Sequence, residues 1–118
     1  MKKLKNITHK PWGKFYDFAE ERKKWHLKIL AIKKGGRLSL QLHANRSELW
    51  VVAEGKARVQ KGNKIFTLIP QKLIFIKKKE MHRIVALTDV VIVELSFGNH
   101  DERDITRLAD NYGRLQKK

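Results

Sequence analysis

Hydrophobic and polar residues alternate along most of this chain. Trp25-His26-Leu27-Lys28-Ile29-Leu30-Ala31-Ile32 is rich in strand-favouring residues and is cut off by Lys33-Lys34-Gly35-Gly36. In the next run Leu38, Leu40 and Leu42 point one way and Ser39, Gln41 and His43 the other, because successive side chains of a strand leave opposite faces. Glu48-Leu49-Trp50-Val51-Val52-Ala53 follows and closes at Glu54-Gly55. The runs 56–60 and 65–69 flank Lys61-Gly62-Asn63-Lys64, which reads as a hairpin turn. Leu73-Ile74-Phe75-Ile76 is short and wholly apolar, and 82–87 and 90–97 are two more strands joined through Thr88-Asp89. About eight short strands with turn residues between them predict an all-β barrel or sandwich. Only the tail departs. From Asp104 the residues Ile105, Leu108, Ala109 and Tyr112 recur at helical spacing. Asp101 or Asp104 is placed to cap such a helix and Gly113 to end it, so a short C-terminal helix is expected.

At 118 residues and 42% hydrophobic, the chain can build one core, and a single domain over 1–118 is expected. The absence of cysteine removes disulfides, thiolate metal sites and cysteine nucleophiles. No apolar run approaches the ~20 residues of a membrane span, and no apolar segment follows the basic N-terminus. A soluble cytoplasmic protein without a membrane partner is therefore expected. Twenty-seven Lys and Arg against twelve Asp and Glu give a formal charge of +15, which suits an anionic partner. The lysines, however, are scattered in pairs and triplets rather than gathered on one basic helix. Nucleic acid is not the expected partner.

The candidate chemistry lies elsewhere. Gln41 and His43, two apart in a strand, leave the same face; Glu48 begins the next strand, and His82 begins a later one. Together, at the mouth of a small barrel, they would offer two nitrogens and two oxygens to a divalent metal. Taken singly, each reads more readily as a hydrogen-bonded structural residue than as a ligand. His9, His26 and His100 have no such companions and read as structural or surface histidines. Trp12, Trp25 and Trp50 read as packing residues, and Lys77–Lys79 as a solvated turn.

Gln-x-His-x-x-x-x-Glu followed some way on by a His resembles the metal motif of the cupin superfamily. More narrowly, Lys10-Pro11-Trp12-Gly13, Gly36-Arg37-Leu38-Ser39-Leu40-Gln41-Leu42-His43, Arg46-Ser47-Glu48-Leu49-Trp50-Val51-Val52, His82-Arg83 and the tail from Asp104 to Arg114 resemble the type II mannose-6-phosphate isomerase domain. That domain usually forms the C-terminal part of bifunctional mannose-1-phosphate guanylyltransferases. The resemblance runs from Lys10 to Arg114 in family order. Three departures stand out. Ala44, Asn45 and Leu49 replace a usually His-rich stretch, and the turn before His82 reads Lys77-Lys78-Lys79-Glu80-Met81 where the family carries Pro and Gly. A glycine-rich nucleotide loop is also absent from the sequence, so nucleotidyl transfer is not expected of it.

The resemblance implies a cupin double-stranded β-helix (jelly roll) that interconverts mannose 6-phosphate and fructose 6-phosphate for polysaccharide precursors. It implies a divalent metal, expected to be Zn, held by Gln41, His43, Glu48 and His82, polarising the carbonyl oxygen as a Lewis acid. Arg37 and Arg46 are the expected substrate-binding arginines, since guanidinium groups contact phosphate bidentately, and Arg114 with Arg37 the expected catalytic cations. For the base, His82 (if it is not a ligand) and Glu80 stay open. The alternative is a non-catalytic cupin that binds a sugar phosphate or an acidic polymer. Pairing of strand edges makes a homodimer the expected state.

Overall fold

The computed structural model describes residues 2–99, 101 and 103–110, with side chains from residue 6 onward. Eleven strands are present and, among the described residues, no helix. They are β1 (Lys2–Lys10), β2 (Gly13–Glu21), β3 (Trp25–Ile32), β4 (Leu40–Leu42), β5 (Arg46–Glu54), β6 (Ala57–Lys61), β7 (Lys64–Leu68), β8 (Leu73–Ile76), β9 (His82–Ala86), β10 (Val90–Gly98) and β11 (Thr106–Ala109). Two antiparallel sheets result, one in the order β1-β2-β3-β10-β5-β8 and the other β11-β4-β9-β6-β7. The β6–β7 hairpin turns through Gly62-Asn63 between the paired Lys61 and Lys64. Gly62 sits at φ +57°, the positive angle that a two-residue hairpin loop needs at its first position.

The strict period of two in β3, β5, β9 and β10 is what makes two faces: every second residue is buried. Across the first sheet the inward residues form rows. Ile32 lies opposite Val90; Leu30, Ile92 and Val52 form the next row; then Lys28, Glu94 and Trp50; then His26, Ser96 and Glu48. The second sheet runs in parallel fashion from Ala57 and Ala86, through Val59 and Ile84, to His82, which pairs with Gln41. The interior is thus hydrocarbon at one end and polar at the other. The apolar end, with Phe15, Leu30, Ile32, Val52 and Ile92, supplies much of the core; the polar end is where chemistry can occur.

Two expectations need correction. The tail is not a helix over its described part: Thr106–Ala109 pairs with β4 as an edge strand. Its helical spacing was outweighed by the open edge of β4, whose hydrogen-bonding groups needed a partner. Tyr112, Gly113 and Arg114 lie outside the described residues. Leu38 does not share a face with Leu40 and Leu42. Regular pairing begins only at Leu40, and Leu38 and Ser39 are both buried ahead of it, with the Leu38 N–H bonded to the Ile84 carbonyl at 2.9 Å. The β1–β2 hairpin is absent from the sequence reading because it has almost no alternation: β2 buries only Phe15.

Candidate metal centre

Strands β4, β5 and β9 bring His43, Glu48 and His82 together at the polar end. Each offers a ligand atom, and the three atoms lie within 4.8 Å of one another. His43 Nε2 is 3.7 Å from Glu48 Oε2, and His82 Nε2 is 3.6 Å from Glu48 Oε1. All three side chains are buried. Gln41 lines the same cavity, opposite His82 in the β4–β9 pairing. The four residues singled out in the sequence therefore share one place in the fold.

The other nitrogen of each histidine fixes its tautomer. His43 Nδ1 donates to the Asp104 carbonyl at 2.6 Å and His82 Nδ1 to the Glu80 carbonyl at 2.8 Å, since a carbonyl can only accept. That leaves Nε2 of both rings as a lone pair facing Glu48, the arrangement in which imidazoles ligate metals. Burial, reinforced by the Arg46 guanidinium, pushes the His43 pKa down to about 4, so this ring is neutral near pH 7. Two imidazoles, a carboxylate and an amide oxygen fit a borderline divalent ion such as zinc.

Much of the support comes from the tail. The Asp104 carboxylate accepts hydrogen bonds from the N–H groups of Ala44 and Asn45, both at 2.9 Å, pinning the loop between His43 and β5. Asp104 therefore caps this loop and not the helix expected of it. From the other side Lys79 N–H donates to the His43 carbonyl at 2.7 Å, with Lys79 at φ +64°.

The arginines separate. Arg46 is buried within the cluster and donates from Nε to Glu48 Oε2 at 3.1 Å and from Nη1 to the Asp101 carbonyl at 3.1 Å. Its Nη2 lies 3.2 Å from the His43 Nε2 lone pair, so it must draw back for an ion to use that nitrogen. Arg37 is exposed, bridges to Val85 and is not among the cavity-lining residues. Among the described residues, the cations that line the cavity besides Arg46 are Lys10, Lys28 and Arg107, none of which the sequence singled out for the site. Glu80 also stays out of the cavity. Its Oε1 accepts the Lys77 N–H at 3.0 Å, and it acts on the site through its carbonyl. His26 is buried and bonded to Asp17 at 2.7 Å.

The sequence matches the family described as Mannose-6-phosphate isomerase C-terminal over residues 1–110. It is 36% identical over 110 residues to the alginate biosynthesis protein AlgA of Pseudomonas aeruginosa, covering 91% of this chain and 23% of that one. It is 32% identical over 111 residues to the mannose-1-phosphate guanylyltransferase ManC of Salmonella typhimurium, covering 92% and 23%. The chain thus spans less than a quarter of these relatives' length. Among solved structures, an RmlC-like cupin from Shewanella frigidimarina superimposes with a TM-score of 0.75 at 19% identity, covering 84% of this chain and 87% of that one. The fold is a cupin jelly roll.

Proposed function

The chain belongs to the Mannose-6-phosphate isomerase C-terminal family, and from that premise we propose that it is a metal-dependent isomerase of mannose 6-phosphate and fructose 6-phosphate. The observation that carries this reading is the His43–Glu48–His82 cluster at the polar end of the interior, backed by Gln41. A divalent ion held there would supply Lewis acidity, drawing charge onto the sugar's carbonyl oxygen. The chain's own residues set the rest. Asp104 and Glu80 orient the two rings, and Trp50, with its ring centroid 5.3 Å from that of His82, walls the site against water.

The cavity that holds the cluster opens to solvent. The substrate phosphate would meet Lys10 and Arg107, which line this cavity and are partly exposed. Arg114, which the family resemblance sets beside the substrate, belongs to the same proposal. So does pairing of two copies, supported by exposed Leu73 and Phe75 on β8, an edge strand.

The test is to incubate the zinc-loaded protein with fructose 6-phosphate and identify the product by carbon NMR. Mannose 6-phosphate should form and should cease to form after chelation. A protein that retains zinc and forms no aldose phosphate is a binding module instead.

A further inference from the structure

Two charged residues that the sequence reading passed over lie inside the barrel. Lys28 on β3 and Glu94 on β10 are each 5% exposed, and both line the cavity that holds His43, Glu48 and His82. Lys28 Nζ is 3.6 Å from Glu94 Oε2. The other oxygen, Oε1, accepts the Trp50 indole N–H at 3.2 Å, which fixes the carboxylate beside the wall of the metal site. Oε2 accepts no hydrogen bond from the described residues.

Such a pair is expensive to bury, and apolar residues of the same size would fill the space without that cost. The sheet does this one row deeper, where Leu30 faces Ile92. Position matters too. Ser96 stands opposite Glu48, and Glu94 is two residues along the same strand face, a diagonal of about 7 Å between β-carbons. A carboxylate oxygen that accepts no hydrogen bond among the described residues therefore lines the same cavity as the ligand cluster.

We propose that Glu94 is the base that moves the carbon-bound proton, with Lys28 as the acid for the sugar oxygens; this rests on the isomerase reading above. Glu94 Oε2 takes the proton from C2 of the open-chain aldose. The C2–H electron pair becomes the C1=C2 bond, and the carbonyl pair passes to O1, which takes a proton from the Lys28 ammonium. Glu94 then returns its proton to C1 as the O2–H bond gives up its proton to Lys28 and C2=O2 forms. Nothing is consumed, and both side chains end as they began.

The experiment follows deuterium incorporation and turnover by proton NMR, with zinc-loaded protein and mannose 6-phosphate in D₂O. Wild type should incorporate solvent deuterium at the carbon that receives the proton. Glu94→Gln should slow exchange and turnover together at least a hundredfold, the scale of a lost general base, with KM and zinc per chain unchanged. Glu94→Asp keeps the charge beside Lys28 and withdraws the carboxylate by one methylene. It should fold as wild type does and lose at least tenfold in kcat, and it decides the matter if the Gln variant does not fold. Wild-type exchange in either folded variant overturns the assignment and leaves the isomerase reading standing. A wild-type protein that neither exchanges nor turns over overturns both.

Discussion

Asp104 ties the tail to the metal centre, and Asp104→Ala is the perturbation that measures the tie. The substitution removes two hydrogen bonds of 2.9 Å to Ala44 and Asn45 and leaves the backbone carbonyl that holds His43 without its anchor. Hydrogen bonds to a charged acceptor contribute about 1.5–3 kcal/mol each when shielded. These two are exposed, so water recovers much of that, and about 1–2 kcal/mol in all is the expected loss. For a chain of this size that corresponds to a melting temperature lower by roughly 5–8 °C in the metal-free protein. The effect on metal should be larger. Loss of the group that orients a ligating histidine weakens binding about 10–100-fold. At a free zinc concentration ~100 times the wild-type Kd, the ion stabilises the wild type by about 2.7 kcal/mol, and a variant weakened ~30-fold by only about 0.9 kcal/mol. Thermal melts of both proteins, with zinc and with chelator, read the two effects separately. A variant with the wild-type zinc shift and the wild-type metal-free melting point would refute the role given to the tail.

Arg46→Met should destabilise the metal-free protein by about 3 kcal/mol, because the buried Glu48 carboxylate loses its guanidinium, and zinc should restore more stability to it than to wild type. Urea titrations with and without chelator measure both, and equal zinc responses would contradict the competition inferred between Arg46 and the ion. Arg107→Ala should raise KM for the phosphosugar about tenfold or more, while Arg37→Ala should stay within about twofold of wild type; steady-state kinetics on the pair decide which cation meets the phosphate. Lys79→Gly should stabilise the protein by about 1 kcal/mol, since glycine takes φ +64° without the strain a side chain brings, and an unchanged urea midpoint would show that the turn carries no such strain.

The strands with a period of two were legible because burial on one face and exposure on the other impose that period directly. The common face of Gln41 and His43 followed from it. Glu48, at the start of the next strand, was close enough to return beside them across a turn; for His82 the resemblance was needed, since thirty-odd residues of chain separate it from the others and spacing alone cannot close that distance. The β1–β2 hairpin left too weak a pattern, because an edge hairpin that buries one phenylalanine need not alternate. In the tail, Ile105, Leu108 and Ala109 satisfy a helical spacing, yet β4 needed a partner and the strand won. Lys28 and Glu94 were hidden for a different reason. A charged residue at an inward position of an apolar strand looks like a break in the pattern, and only the cross-strand register shows that two such breaks face each other.

The decisive measurement is a titration of the metal-free protein with zinc in which bound ion and mannose 6-phosphate turnover are followed in the same samples. Turnover should rise in step with occupancy and level off at one ion per chain, with His43→Ala and Glu48→Ala binding no ion and showing no activity. Turnover that is independent of occupancy, or a fully occupied site without turnover, would contradict a metal-dependent isomerase built on His43, Glu48 and His82.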